Sequence, residues 1–515
     1  MGGLFGQRER TPRSLACDGL FALLLALNIA RTLRHAMWRD ELQIYQLAAN
    51  SPTLVDLFRN LRYEAHGALW DVLVWGLAQL GGGPASMQML HAAIAAAVWT
   101  VVWRWSPFTT LEKFLLLLSY FLFFEYFVVS RSYGLAILLG VGFVALRQHR
   151  PSWHAVPWLL LGLLANINAF VTIWSIAFAA VLVLEERPRD ARFWGGAAIY
   201  LVLLGVGLAT MVPAPDYGPW DASPKLDLAS VENALAIALG AFVPIDAGWF
   251  RAAAAFFADP RSAPVPFFWN PSPLRWVTAV TQAGAAHPLR LASILLVPII
   301  LCVLVTRQRY RVLEFSLAFA GMMLFAVLWH YVGGSRHYGL VFAAFVASAW
   351  IARARAPHPA PSGPFIIILA VSAFGGVLSL GSEFTTFSQA RNAAHWLQNA
   401  NFANLPLIGQ RDAQVSSVAG YLRTPVYYLE CECTGTFIRW NNGRQSPLSA
   451  EQFRERLARA LAHIGRSDAI LIRNVPLDLA DTNNLVPGRA LILAASFTGA
   501  VTDENYWVYR VTSVD

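Results

Sequence analysis

Apolar runs separated by short polar clusters recur from residue 18 to residue 381. Those long enough to cross the hydrocarbon core of a bilayer as helices lie at 18–36, 86–104, 111–128, 133–147, 153–167, 169–185, 193–212, 288–306, 312–330, 337–352 and 364–381. The pattern predicts about 11 spans. One further run, Gly67–Leu80, is short and stops at Gly81-Gly82-Gly83-Pro84. From about residue 383 the pattern becomes that of a soluble α/β domain. Strand-like runs stand at Val426–Leu429, Ala469–Ile472, Ala490–Leu493 and Tyr506–Val511. An amphipathic helix over Ser449–His463 opens on Ser449-x-x-Gln452, a capping box. The fold class expected is a polytopic α-helical membrane protein with a small soluble α/β domain at its C-terminus. Its two parts are a membrane module over 1–382 and a soluble domain over 383–515.

Composition agrees. The chain is 56% hydrophobic and 14% charged, with a mean hydropathy of +0.47; soluble domains run near 25% charged. Too little polar surface remains to cover a water-facing shell. The net charge of +8 sits in short clusters between apolar runs, as cytoplasmic loops carry it. No contiguous basic face on a soluble module is present, so nucleic acid is excluded as a partner. Residues 1–13 are basic and lead into the first apolar run without a small-residue cleavage site, which reads as an uncleaved first span.

Orientation follows from the short run. If Gly67–Leu80 does not cross, one set of alternating loops holds Arg8–Arg13, Arg104–Lys113, Arg147–Arg150, Arg187–Arg192, Arg307–Arg311 and Arg353–Arg355. It is therefore read as an interfacial or re-entrant helix. The N-terminus is then cytoplasmic and the C-terminal domain periplasmic, in a bacterial inner membrane. Two outer segments are large. The first, about 37–85, has amphipathic stretches at Glu41–Ala49 and Leu54–Leu61 that suit helices lying in the interface. The second, about 213–287, is rich in Pro, Trp and Phe, as in Phe267-Phe268-Trp269-Asn270-Pro271, and is expected to fold back onto the bilayer surface.

Cys17 and Cys302 lie in apolar segments as small hydrophobes. Cys431 and Cys433 fall in a strand-like run, point to opposite faces and would strain if bridged. Cys-x-Cys alone lacks the other ligands of a zinc site.

With orientation set, the densest polar motifs sort to the outer face. They are Trp38-Arg39-Asp40-Glu41, Tyr63-Glu64-Ala65-His66, Ser130-Arg131-Ser132-Tyr133, Asn166 with Asn168, Asp216-Tyr217 and Ser335-Arg336-His337-Tyr338. Ionisable groups so near hydrocarbon are costly unless paired or lining a wet cavity. Asp40 and Glu41 are either favourable charges on a helix dipole or a general base for an acceptor hydroxyl or amine. Glu64 and His66 form a second acid/base pair. Arg131 and Arg336 either snorkel to headgroups or grip a lipid-linked phosphate.

The order of these motifs carries a resemblance. A first span followed at once by Trp-Arg-Asp-Glu, an amphipathic region and then Tyr-Glu-x-His-x-x-Leu-Trp resembles the C-type (GT-C) membrane glycosyltransferases. It is most similar to the bacterial branch with protein O-mannosyltransferases and the lipid A aminoarabinose transferase. The later Ser-Arg-Ser-Tyr and Arg-His-Tyr elements are also similar to this group. The layout extends over about residues 15–350, the motifs over far fewer positions. The resemblance implies an active site at the outer face and a polyprenyl-phosphate-sugar lipid as donor, with the acceptor undefined and membrane lipids around it. It implies Asp40 as catalytic base with Glu41 assisting or orienting it. Glu64, His66, Arg131, Tyr133, Arg336 and His337 become substrate-binding residues. Some relatives place an acid where Arg131 stands, so no ligand set for a divalent metal is evident and the cofactor stays open. A transporter or flippase would show inverted repeats and midplane charges, and a non-catalytic assembly protein would use the soluble domain as its binding module; these are the alternatives.

Overall fold

The structure, a computed structural model, describes residues 12–149, 155–186, 190–218, 228–244, 288–329, 335–356, 361–477 and 485–513. In chain order the helices are α1 (Pro12–Arg34), α2 (Arg39–Ala49), α3 (Leu54–Leu61), α4 (Leu69–Gln79), α5 (Pro84–Trp105), α6 (Thr110–Leu117), α7 (Ser132–His149), α8 (Ala155–Leu164), α9 (Ala169–Glu185) and α10 (Ala191–Thr210). They continue as α11 (Leu228–Phe242), α12 (Pro288–Thr306), α13 (Arg309–Leu328), α14 (Ser335–Ala354) and α15 (Gly363–Leu378). The soluble part adds α16 (Ala390–Asn399), β1 (Leu407–Gln410), α17 (Asp412–Leu422), β2 (Val426–Tyr428), β3 (Cys433–Gly435), α18 (Ala450–Ile464), β4 (Ala469–Arg473), β5 (Arg489–Phe497) and β6 (Tyr506–Ser513).

Each apolar run read as a span coincides at least in part with a helix, yet among the described residues six helices are long and apolar enough to cross a membrane. The chain is a mostly helical, polytopic membrane protein; a count of eleven spans is not established by these helices. Helix ends follow local chemistry. Pro84 opens α5, and Ser106-Pro107 closes it. Leucines on the outside of α1 and the apolar residues Leu201 and Val202 of α10 stay exposed, which suits hydrocarbon as the surrounding solvent.

The run 111–128 is broken: α6 ends at Leu117, and a π-helical turn follows at Phe121–Glu125. Carbonyls freed by such a break need partners inside a membrane. Asn28 and Arg31 donate to the Phe123 carbonyl at 2.9 and 2.8 Å, and the Trp99 indole donates to Leu122 at 3.2 Å.

Among the described residues, arginines of the Arg147–Arg150, Arg307–Arg311 and Arg353–Arg355 clusters are held by carboxylates of neighbouring helices. Arg147 pairs with Glu185 at 2.8 Å, Arg311 with Glu314 at 2.6 Å, and Arg353 with Glu112 at 2.8 Å. Arg311 and Arg355 also pair with Glu185. Helix α4 has 11 residues, about 16 Å at 1.5 Å per residue, roughly half of a hydrocarbon core.

Three readings change. The stretch 213–287 is not loop throughout: α11 lies within it, and its Phe242 packs edge-on against Phe342 and Phe345 of α14. Phe267–Pro271 and most of that stretch lie outside the described residues. Helix α2 is not half in water; Leu42 to Ala48 are buried, because the bundle covers one side and the soluble domain the other. Cys431 and Cys433 form a disulfide with Cα atoms 5.1 Å apart. The segment is a turn between β2 and β3 with Glu432 in the left-handed region (φ 51°), so the alternation of a strand does not apply.

The soluble domain is a mixed six-stranded sheet in the order β3-β2-β1-β4-β6-β5. Strands β1, β2 and β4 are parallel, and β3, β5 and β6 pair antiparallel. Helix α18 begins with the capping box at Ser449 and Gln452 and stops at Gly465 in the left-handed conformation.

Candidate active site

A cavity of about 390 Å³ lies where α2, the α3–α4 loop, the N-termini of α7, α9 and α14, and the soluble domain meet. Asp40, Glu64, His66, Arg131, Tyr133, Arg336 and His337 all line it. Glu41 does not.

Asp40 stands in the first turn of α2. Its Oδ2 accepts from Arg131 and lies 2.9 Å from the Arg336 guanidinium. Burial alone would raise its pKa, but Arg131, Arg336 and Arg39 overcome that and hold the carboxyl below the ordinary aspartate value. Arg336 is fixed from behind: the Tyr126 hydroxyl donates to its carbonyl at 2.7 Å, and Tyr126 stacks on Tyr133 with centroids 5.4 Å apart. His337 meets the Tyr133 ring edge-on at 5.7 Å.

Glu41 sits one residue, and so about 100° of helix, away from Asp40. It is fully buried. Its carboxylate accepts from the Ser130 amide at 2.6 Å and the Trp38 amide at 3.2 Å, and lies 3.0 Å from His35 Nε2. Of the two parts expected of Glu41, assisting Asp40 or orienting it, these contacts fit the second. Glu41 ties the start of α2 to the turn that carries Arg131, which is why Arg131 meets Asp40. Glu41→Ala strands two buried amides at about 1–3 kcal/mol each, and a clear drop in melting temperature is expected. Glu41→Gln restores most of it and keeps activity; a Gln variant that melts normally but does not turn over would make Glu41 catalytic.

The opposite wall carries a second set of titratable groups, Glu64 and His66. Between Glu64 and His66, Ala65 takes the left-handed conformation (φ 53°), a turn that brings both side chains to the cavity. Next to them Gly67 packs so close to the 165–168 turn that a Cβ would fall 2.4 Å from the Asn166 backbone. Gln43 donates to Glu64 at 2.7 Å. Burial pushes the Glu64 carboxyl up to about 7, with Asp71 and Asp40 adding to the rise and His66 and Gln43 opposing it. Burial lowers His66, against the pull of Glu64 and the Gly67 carbonyl. Behind His66, at 3.6 Å, lies Asp71. It is fully buried and pushed up to about 8, and among the described residues neither of its oxygens has a hydrogen-bond partner. Asp71 was missed in the sequence because Gly67–Leu80 was weighed as an apolar unit; a lone acid in such a run is the signal that finds it.

The other outer motifs divide. Asn168 and Tyr217 line the cavity, Asn168 also capping α9 through the Val171 amide. Asn166 bonds back to Gly162 and Leu203, and Asp216 accepts from Tyr63 at 3.0 Å, outside the cavity. Among the described residues no three His, Cys, Asp or Glu side chains converge as metal ligands. The groups nearest Asp40 are guanidinium ions, a poor setting for a divalent cation.

The soluble domain supplies the remaining wall through Ala413, Ser416, Ile438 and Trp440. It also grips α2. Glu504 accepts from the Arg39 amide at 2.8 Å and Asp503 from its guanidinium at 2.7 Å. Gln43 exchanges bonds with the Ile438 backbone at 2.7 and 3.0 Å, and Gln46 donates to the Ser416 carbonyl at 2.9 Å.

No protein-family model matches the sequence, and no curated protein matches it. Solved structures of similar layout are crystal structures of ArnT from Cupriavidus metallidurans. The one bound to undecaprenyl phosphate is 14% identical, with 96% of this chain and 97% of that chain covered and a TM-score of 0.42. The apo state is 14% identical over 97% and 98%, with a TM-score of 0.43.

Proposed function

We propose that the chain is a membrane glycosyltransferase that moves a sugar from a polyprenyl-phosphate donor to an acceptor at the outer face. One observation carries this reading: Arg131 and Arg336, from distant parts of the chain, converge on the single carboxylate of Asp40 inside a cavity. Paired guanidinium groups are well shaped for a phosphate. The motif order of the first outer loop, similar to that of GT-C enzymes, points the same way. The Cys431–Cys433 disulfide supports an oxidising, outer compartment for the soluble domain.

In the resting site the arginines neutralise Asp40. When a donor phosphate enters, they share their charge with it, and the Asp40 carboxylate regains basicity beside the acceptor. Asp40 takes the proton of an acceptor hydroxyl or amine as that atom bonds to the anomeric carbon. The carbon–oxygen bond to phosphate breaks, the electron pair leaves with the phosphate on its lipid, and the anomeric centre inverts. Arg131 and Arg336 stabilise the charge that grows on the leaving oxygen. Glu64 and His66 accept and donate hydrogen bonds to sugar or acceptor hydroxyls.

The test is mass spectrometry of surface glycolipids and glycans from a deletion strain. Loss of one sugar modification, restored by the wild-type chain, supports the reading, and an unchanged profile sinks it. Undecaprenyl phosphate, held by the similar ArnT structure, serves as the binding probe for purified protein.

Glu64 gives a pH signature. Its carboxyl, near 7, is neutral below that pH and ionised above it. The acceptor KM should fall as pH rises through about 7, when the carboxylate becomes a full acceptor. Glu64→Gln should flatten that inflection; a wild-type KM that is level from pH 6 to 8 would remove Glu64 from acceptor binding.

A further inference from the structure

The soluble domain holds a second cleft that the transfer reading does not use. From β1 the chain passes through α17 to β2 on one side; later it passes through α18 to β4 on the other. The strand order thus reverses between β1 and β4. In open sheets of parallel strands, ligands settle beyond the carboxyl ends at such a switch point. A cleft of about 550 Å³ lies there, lined by Gln410 at the end of β1 and Arg473 at the end of β4.

Three arginines, Arg411, Arg454 and Arg473, line this cleft, and none of the described residues lining it is acidic. Arg473 is buried and held in place. Its guanidinium bonds to the Gln410 side chain and lies over the Phe453 ring at 4.6 Å. Arg411, the first residue after β1, is exposed and takes the left-handed conformation (φ 61°). The amides of Arg411 and Asp412 are already bound to the Glu430 carboxylate at 2.7 and 3.3 Å. The pull on an anion therefore comes from the side chains, not from the helix start. Leu448, Phe453 and Leu477 give the cleft an apolar floor, and Gln414 and Ser449 add polar groups.

We infer that this cleft binds a sugar carrying a phosphate or carboxylate. The anion meets the arginines, the ring rests on the apolar floor, and its hydroxyls reach the amide and hydroxyl side chains. Helix α17 separates the cleft from the membrane cavity: Ala413 and Ser416 face the cavity, Arg411 and Gln414 the cleft. The two sites are distinct, and the inference does not depend on the transfer reading.

The full chain in detergent is titrated calorimetrically with glucose 6-phosphate, inorganic phosphate and glucose. Arg131→Gln/Arg336→Gln removes the paired guanidinium groups of the membrane cavity and leaves Arg39, which Asp503 already neutralises, so binding that survives in it belongs to the cleft. Glucose 6-phosphate should bind that variant and the wild type alike. Arg411→Gln/Arg454→Gln should weaken it about tenfold or more, since each charged hydrogen bond counts for about that factor. Both arginines are exposed, so the melting temperature should hold. Tighter binding of glucose 6-phosphate than of inorganic phosphate assigns the cleft to an anionic sugar. Equal binding reduces it to a bare anion site and overturns the sugar. Absence of saturable binding, or binding lost with Arg131 and Arg336 but kept without Arg411 and Arg454, overturns the cleft as a site.

Discussion

Asp40→Asn should lower sugar transfer by about 10² to 10⁴, the range a positioned general base contributes, while the chain inserts and melts as before. The amide keeps the shape of the carboxyl and can still accept from one guanidinium, so the cavity wall survives. What it cannot do is take a proton. A second result separates this from a general disturbance. In the resting site Asp40 competes with the donor phosphate for Arg131 and Arg336. With the negative charge gone, undecaprenyl phosphate should bind at least as tightly as to the wild type. Lost turnover with undiminished lipid binding supports Asp40 as base; unchanged turnover removes it from that role.

Arg131→Gln together with Arg336→Gln should give the opposite split. Each charge-assisted contact contributes about 1.5–3 kcal/mol, so donor binding should weaken by about 10² to 10⁴ for the pair. The same change strips Asp40 of the two nearest charges that hold its pKa down. Whatever activity remains should therefore show an inflection at higher pH than the wild type, because a less supported carboxylate ionises later. Donor KM measured across pH reads both effects. A double variant with wild-type donor KM would mean that the phosphate is held elsewhere.

Much of this was legible in the sequence because membrane helices announce themselves by length and apolarity. The runs at 86–104 and 337–352 fall on α5 and α14. Helix α11 was not legible, since its 15 residues sit in a stretch whose Pro, Trp and Phe content reads as loop. The cavity was half legible. Arg131 and Arg336 were marked by the cost of charge at span ends, and the structure brings them to one carboxylate. The different placements of Asp40, on the cavity, and Glu41, buried behind it, were hidden, because adjacency in sequence says nothing of which way two helical neighbours face. The buried acid Asp71 was hidden by its neighbours. The Cys431–Cys433 bridge was hidden by a run of β-formers that turns after Tyr428 instead of extending.

The grip of the soluble domain on α2 bears on how the protein comes into being. Arg39 emerges early in synthesis, yet the carboxylates that hold it, Asp503 and Glu504, follow 464 and 465 residues later. Membrane insertion can be complete through α15 while the helix bearing Asp40 still lacks its far-side support. The soluble domain must fold and dock before that helix is clamped. The cavity around Asp40 is therefore the last thing to be finished, and a nascent chain held in the membrane is a scaffold awaiting its own C-terminal half-wall.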